Sequence, residues 1–154
     1  MAEQAQYVTI GVAEEIFAAP VTKVLEILDV RPIARLPRAP EHLLGMIDVR
    51  GEGVPVLDLR LTLGLPSAPD TENTRIVVLA INGAEGVLTI GLRADRVFEV
   101  TVLDSETLDP PPGVSAAWGK RVIEGIGRRN GAFVTVLDLD SLLGDVAVTT
   151  GQAA

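Results

Sequence analysis

Two aspartates are the first residues to weigh for chemistry. Asp58 and Asp138 each follow a V-x-V-L run, 80 positions apart. One carboxylate from each of two β-rich halves is the arrangement by which two-lobed aspartic proteases activate water. Both aspartates are followed by leucine, where that chemistry demands Asp-Thr-Gly or Asp-Ser-Gly. An aspartate at a strand-to-helix junction also has a simpler role, accepting backbone N–H bonds and favouring the helix dipole for about 1 kcal/mol. A hydrolase using Asp58 and Asp138 is therefore a remote alternative. His42 is the only histidine, in a proline-rich approach beside Leu43, and reads as a surface or cap residue. No H-x-x-x-H pair and no cysteine occur, which excludes thiolate metal sites, disulfides and a cysteine nucleophile; neither a metal nor a cofactor is expected. Gly125-x-Gly127 follows a strand as a dinucleotide fingerprint would, but it leads into another strand. No phosphate-loop lysine is present.

The elements that position these residues centre on Leu44 to Leu65: an apolar run, a charged glycine turn (Arg50, Gly51, Glu52, Gly53), a second apolar run, and a short helical pattern closed by Gly64. Two strands joined by a tight turn explain this, with Asp58 capping the helix that follows. Eighty positions on, Val54, Val56, Leu57, Asp58, Leu59, Leu63 and Gly64 recur as Val134, Val136, Leu137, Asp138, Leu139, Leu143 and Gly144; Gly45 and Gly51 recur as Gly125 and Gly131. A second echo matches Val24-Leu25-Glu26-Ile27 with Val97-Phe98-Glu99-Val100 at a slightly shorter offset. The chain reads as an internal duplication.

Its 154 residues suit one domain or two small lobes sharing a core. Hydrophobic residues make up 47% and aromatics 3%, so the core is built from Val, Leu and Ile, which favours β-structure. The net charge of −8, with scattered Lys and Arg, argues against nucleic-acid or anionic-membrane binding. The N-terminus lacks a basic region followed by an apolar block, and no apolar run is long enough to span a bilayer, so a cytoplasmic chain is expected.

Along the chain, residues 1–5 read as a loose tail, 6–19 as a hairpin ended by Pro20, and Lys23 to Leu28 as a strand after a short turn. The prolines at 32, 37 and 40 make an extended stretch, and Glu41 to Leu44 could form one helical turn begun by Pro40. Pro66 to Asn73 reads as the connector between halves. Three strands follow (Arg75 to Ile81, Val87 to Leu92, Arg96 to Leu103), with Asn82-Gly83 the strongest turn signal. Pro110-Pro111-Pro112 suggests a stiff polyproline spacer. Arg121 to Gly127 and Ala132 to Leu137 repeat the central hairpin around Asn130-Gly131; Asp138 caps the last helix, and 146–154 is a loose tail. The expected fold is mainly β: two duplicated five-stranded barrels, with short helices after each central hairpin. Lobe one spans about 21–80. Lobe two spans about 86–144, completed by the N-terminal strands 6–19. With chemistry excluded, binding remains, and Arg50 stands out as a long cation on a glycine-braced turn, able to grip a carboxylate or carbonyl.

The run G-M-I-D-V-R-G-E-G-V-P-V-L-D-L-R resembles the signature of the CheW family of chemotaxis coupling proteins, with its glycine, apolar pair, N-L-R-G-like turn and P-V-x-D-L. The likeness extends to V-T-I-G, the Pro20-to-Ile27 stretch, R-x-P-x-x-P, A-D-R-V-F-E-V and the closing V-L-D-L-D-S-L-L, from about Gln6 to Gly144. The resemblance implies SH3-like five-stranded barrels and no catalysis. It implies a cytoplasmic adaptor, recruited to receptor arrays at the inner face of the membrane. There it would bridge the tip of methyl-accepting chemotaxis receptors to the regulatory domain of the histidine kinase CheA. Carried over by position, the receptor-facing residues would be Val24, Glu26, Gly45, Arg50 and Val100, with Val24 and Val100 lining a groove between lobes. Asp48 stands where the family has asparagine, and Gly53 where it has an apolar residue. An adaptor of the same construction serving surface motility or development is the alternative.

Overall fold

The computed structural model describes residues 5–83, 86–110 and 123–143. The strands are β1 (Tyr7–Val12), β2 (Glu15–Pro20), β3 (Val24–Asp29), β4 (Leu43–Val49), β5 (Glu52–Asp58), β6 (Arg75–Gly83), β7 (Gly86–Ala94), β8 (Arg96–Thr101), β9 (Ile123–Arg129) and β10 (Ala132–Leu137), with helix α1 (Leu59–Thr62) after β5 and residues 139–143 helical after β10. Two five-stranded sheets result, ordered β3-β6-β7-β5-β4 and β8-β1-β2-β10-β9. Substituting β8, β9, β10, β1 and β2 for β3, β4, β5, β6 and β7 turns one order into the other. The second lobe is therefore a permuted copy of the first, its last two strands supplied by the N-terminal hairpin.

The duplication extends to register. Leu43 pairs with Leu57 and Gly45 with Val56 across a bulge; Ile123 pairs with Leu137 and Gly125 with Val136 across the same bulge. β5 runs parallel to β7 through Val56 and Gly91, and β10 parallel to β2 through Val136 and Ala18. The loop before each hairpin returns to pair with it. Ala34 and Met46 exchange two N–H···O bonds of 2.8 Å, and Asp109 and Ile126 do the same at 2.8 Å. Both hairpins turn through paired positive φ angles, 51° and 86° at Arg50-Gly51 and 53° and 84° at Asn130-Gly131, the two-residue turn that suits strand twist.

Each turn is braced by an aspartate. Asp48 Oδ1 accepts from the Gly51 N–H at 2.7 Å, and Asp104 accepts from the N–H groups of Asn130 and Gly131 at 2.9 Å. The Gly131 and Asn130 amides hold the Asp104 carboxyl below the usual carboxylate range. Its bracing is thus complete above the unfolded value of about 4 and disappears as pH falls through the lower folded value. Proton NMR of the Asn130 and Gly131 amides should report that titration, and Asp104→Asn should abolish it.

Three apolar clusters hold the molecule. Ile47, Val49, Val54, Val56, Ile76 and Val78 fill lobe one; Ala18, Leu103, Val134 and Val136 fill lobe two. The largest cluster joins them, with Val8, Ile10 and Leu143 from one lobe against Leu57, Leu79 and Leu92 from the other. Among the described residues the chain passes between lobes twice, at the 3-10 turn Val21–Lys23 and at Asp95.

Four expectations change. β7 pairs with β6 and β5, so lobe one runs to Ala94 and lobe two resumes at Arg96, not at 86. Pro66 to Asn73 joins α1 to β6 inside lobe one and is no connector between halves; Arg93 binds it through the Ala68 carbonyl and Asp70. Glu41 and His42 form a turn, and strand begins at Leu43, because pairing of β4 with β5 overrides the helical start at Pro40. Asn82 and Gly83 are still strand residues, paired with Val87 and Gly86. The polyproline segment past Pro110, Gly144 and the terminal tails apart from Ala5 lie outside the described residues.

Candidate partner-binding surface

β3 and β4 are opposite edges of the first sheet, yet a side chain from the turn after β4 reaches β3. Arg50, on the β4–β5 turn, grips Glu26 of β3 with two hydrogen bonds, Nη1 to Oε2 at 2.6 Å and Nη2 to Oε1 at 3.1 Å. The Arg50 side chain is 77% exposed and that of Glu26 23%. Planar guanidinium and carboxylate match as a fork, so the pair latches the lobe and presents its cation outward. The second lobe closes in the same way, with Arg129 of β9 on Glu99 of β8 at 3.3 Å. The glutamate shared by the two echoed strands is thus explained.

Around this latch, β3 alternates half-buried and exposed residues. Leu25 is 55% exposed and Ile27 also faces outward, flanking Glu26 in sequence. On the equivalent strand β8, Phe98 and Val100 are exposed, and Val100 matches Ile27 in the echo. Among the described residues both strands are sheet edges, each paired on one side only. Four exposed apolar side chains thus stand on two equivalent strands, two in each lobe.

The five residues expected to face a receptor separate. Glu26 and Arg50 are in contact, and Val100 is exposed. Val24 is half-buried and packs against the core between lobes, while its neighbour on β3, Ile27, is exposed. Gly45 is buried at φ 145°, with the Ala34 carbonyl oxygen where a Cβ would stand. It shapes the 34–46 bridge and presents no side chain. The residues that sequence reasoning passed over are Leu25, Ile27 and Phe98. The alternation that exposes them is hidden because Val24 to Leu28 is apolar on both faces except at Glu26. Asp48 keeps the turn geometry by its bond to Gly51, and Gly53 leaves room for the Met46 side chain, whose Cε lies 2.6 Å from where a Cβ would be.

The two aspartates serve structure. Asp58 is fully buried and caps α1 through the Arg60 N–H at 3.0 Å; Ser67 Oγ donates to it at 3.3 Å, and Arg93 Nη1 lies 3.6 Å away. Gly64, at φ 85°, ends the helix, as Leu65 N–H returns to the Arg60 carbonyl at 2.8 Å. Asp138 caps residues 139–143, accepting from the Ser141 N–H at 3.2 Å and Ser141 Oγ at 3.0 Å. Each carboxylate is thus engaged at its own strand-to-helix junction. His42, expected on the surface or as a cap, is half-buried, its Nε2 without a hydrogen-bond partner among the described residues. Among the described residues no group of acidic and histidine side chains could hold a metal, and no helix is long and apolar enough to cross a membrane.

Residues 6–147 match the CheW-like domain family. The chemotaxis protein CheW of Helicobacter pylori is 28% identical over 92% of this chain and 82% of that protein. That of Bacillus subtilis is 31% identical over 82% of this chain and 79% of its own. In three dimensions the scaffolding protein TtCheW of Thermoanaerobacter tengcongensis, a crystal structure, superposes with a TM-score of 0.80 at 27% identity, covering 92% of this chain and 93% of the other. With the family model matching residues 6–147 and these relatives alike over most of their length, the chain belongs to the CheW family.

Proposed function

We propose that this protein is a non-catalytic cytoplasmic adaptor of chemotaxis signalling. It links the cytoplasmic tip of methyl-accepting receptors to the regulatory domain of a CheA-type histidine kinase, and is held at receptor arrays by those contacts. The observation that carries this reading is the Glu26–Arg50 latch beside outward-facing Leu25 and Ile27, with Phe98 and Val100 on the equivalent strand. A receptor tip is a helical hairpin, and its apolar face fits the two edge strands while its polar groups meet Arg50. The local engagement of Asp58 and Asp138 supports an absence of hydrolysis.

Arg50→Glu tests the surface. It opposes Glu26 with a like charge, yet the lost ion pair is exposed and contributes under about 1 kcal/mol to folding. Affinity for a receptor-tip fragment should fall about tenfold or more in calorimetry while the melting temperature moves little. Leu25→Lys should act likewise. Val24→Lys would disturb the shared core as well and discriminates poorly. Wild-type affinity in both Arg50→Glu and Leu25→Lys would sink the assignment of this surface.

A further inference from the structure

Two polar clamps tie the lobes together, and they are reversed in charge. In the first, Asp95, which carries the chain from β7 into β8, accepts from Arg60 of α1, Nε at 2.9 Å and Nη2 at 2.8 Å, and from the backbone N–H of Ala13 at 2.7 Å. Ala13 belongs to the β1–β2 turn, in the other lobe. In the second, Asp140 of the 139–143 helix accepts from Lys23 Nζ at 2.7 and 2.9 Å and from the backbone N–H of Asn82 at 2.8 Å. Asn82 lies on β6, again in the other lobe.

The positions correspond through the duplication. Arg60 and Asp140 each stand two residues after the capping aspartate. Ala13 and Asn82 follow Val12 and Ile81 on the equivalent strands β1 and β6. Lys23 and Asp95 lie at the two crossovers but one position apart in the strand echo, which matches Lys23 with Arg96 and Thr22 with Asp95. In one clamp the acid is on the crossover and the base on the helix; in the other these are exchanged. The apolar core between lobes is non-directional and fixes no angle by itself. The clamps supply direction, and each crossover residue immediately precedes an edge strand of the proposed partner surface, Lys23 before Val24 of β3 and Asp95 before Arg96 of β8.

We propose that the two charge-reversed clamps, Arg60–Asp95–Ala13 and Lys23–Asp140–Asn82, lock the angle between the lobes and thereby hold β3 and β8 at the separation a partner reads. The effect on the partner rests on the adaptor reading above; the lock does not.

The chain has no cysteine, so Glu14→Cys and Glu52→Cys, exposed and one in each lobe, accept a pair of nitroxide labels on the full-length protein. Pulsed electron resonance should give one narrow distance distribution. Adding Asp140→Lys sets two cations together and should broaden or displace it, and Lys23→Asp with Asp140→Lys should narrow it again. Receptor-tip affinity should fall about tenfold in the single variant and recover in the double. Asp140→Asn repeats the test should Asp140→Lys fail to fold. An unchanged distribution in the single variant, or no recovery in the double, overturns the lock. A broadened distribution with unchanged affinity, where Arg50→Glu does weaken binding, overturns its link to the partner. If the wild type fails to bind the tip, the adaptor reading fails and the distances still decide the lock.

Discussion

Gly45→Ala is expected to lower the unfolding free energy by about 3 kcal/mol, a large fraction of what a domain of this size has. Two effects combine there. The φ of 145° is a conformation that alanine tolerates poorly, and the new methyl would meet the Ala34 carbonyl, which is backbone and fixed by its exchange of bonds with Met46. The equivalent Gly125 is less constrained. Its added Cβ would meet Leu108 Cβ at 2.7 Å and the Asp109 carbonyl at 3.0 Å without a positive φ, so Gly125→Ala should lose about 1.5 kcal/mol. Gly51, at φ 86° in open space, is the control at about 1 kcal/mol. Urea midpoints for the three variants, at an unchanged slope, check the order. If Gly45→Ala is no worse than Gly51→Ala, the close return of the 34–46 bridge is wrong.

Asp58→Ala should be as damaging, at about 3 kcal/mol, while Asp138→Ala loses about 1 kcal/mol. Both remove a helix cap. Asp58 is also fully buried beside Arg93, a guanidinium with 8% of its side chain exposed. Removing the carboxylate leaves that charge to Asp70 alone, itself half-exposed. Thermal or urea unfolding of the two alanine variants measures the difference. Equal losses would mean that the Arg93 contact contributes nothing. A hydrolytic pair would behave otherwise, with both aspartates needed for activity and neither for folding.

The duplication was legible because its signature is covalent geometry written in residue types: glycine at 45 and 125, glycine after the turn, aspartate before the helix. The lobe boundary was not. β1 and β2 precede the repeat they complete, so the order of the copies along the chain does not reveal that β6 and β7 belong to lobe one. Of the surface, the sequence yielded Arg50 and Glu26 through the family likeness. Val24, carried over by position from the same likeness, is half-buried at the start of β3, where a bulge separates it from Glu26. The clamps were invisible, since Lys23, Arg60, Asp95 and Asp140 lie far apart in the chain and look like ordinary solvated charges.

An adaptor must hold two partners at once, so the most direct measurement is light scattering on a size-exclusion column loaded with this protein, a receptor-tip fragment and a CheA-type regulatory domain, singly and together. The expected result is a species containing all three, depleted of receptor tip but not of kinase domain when Arg50→Glu replaces the wild type. Mutually exclusive binding of the two partners, or binding of neither, would contradict it.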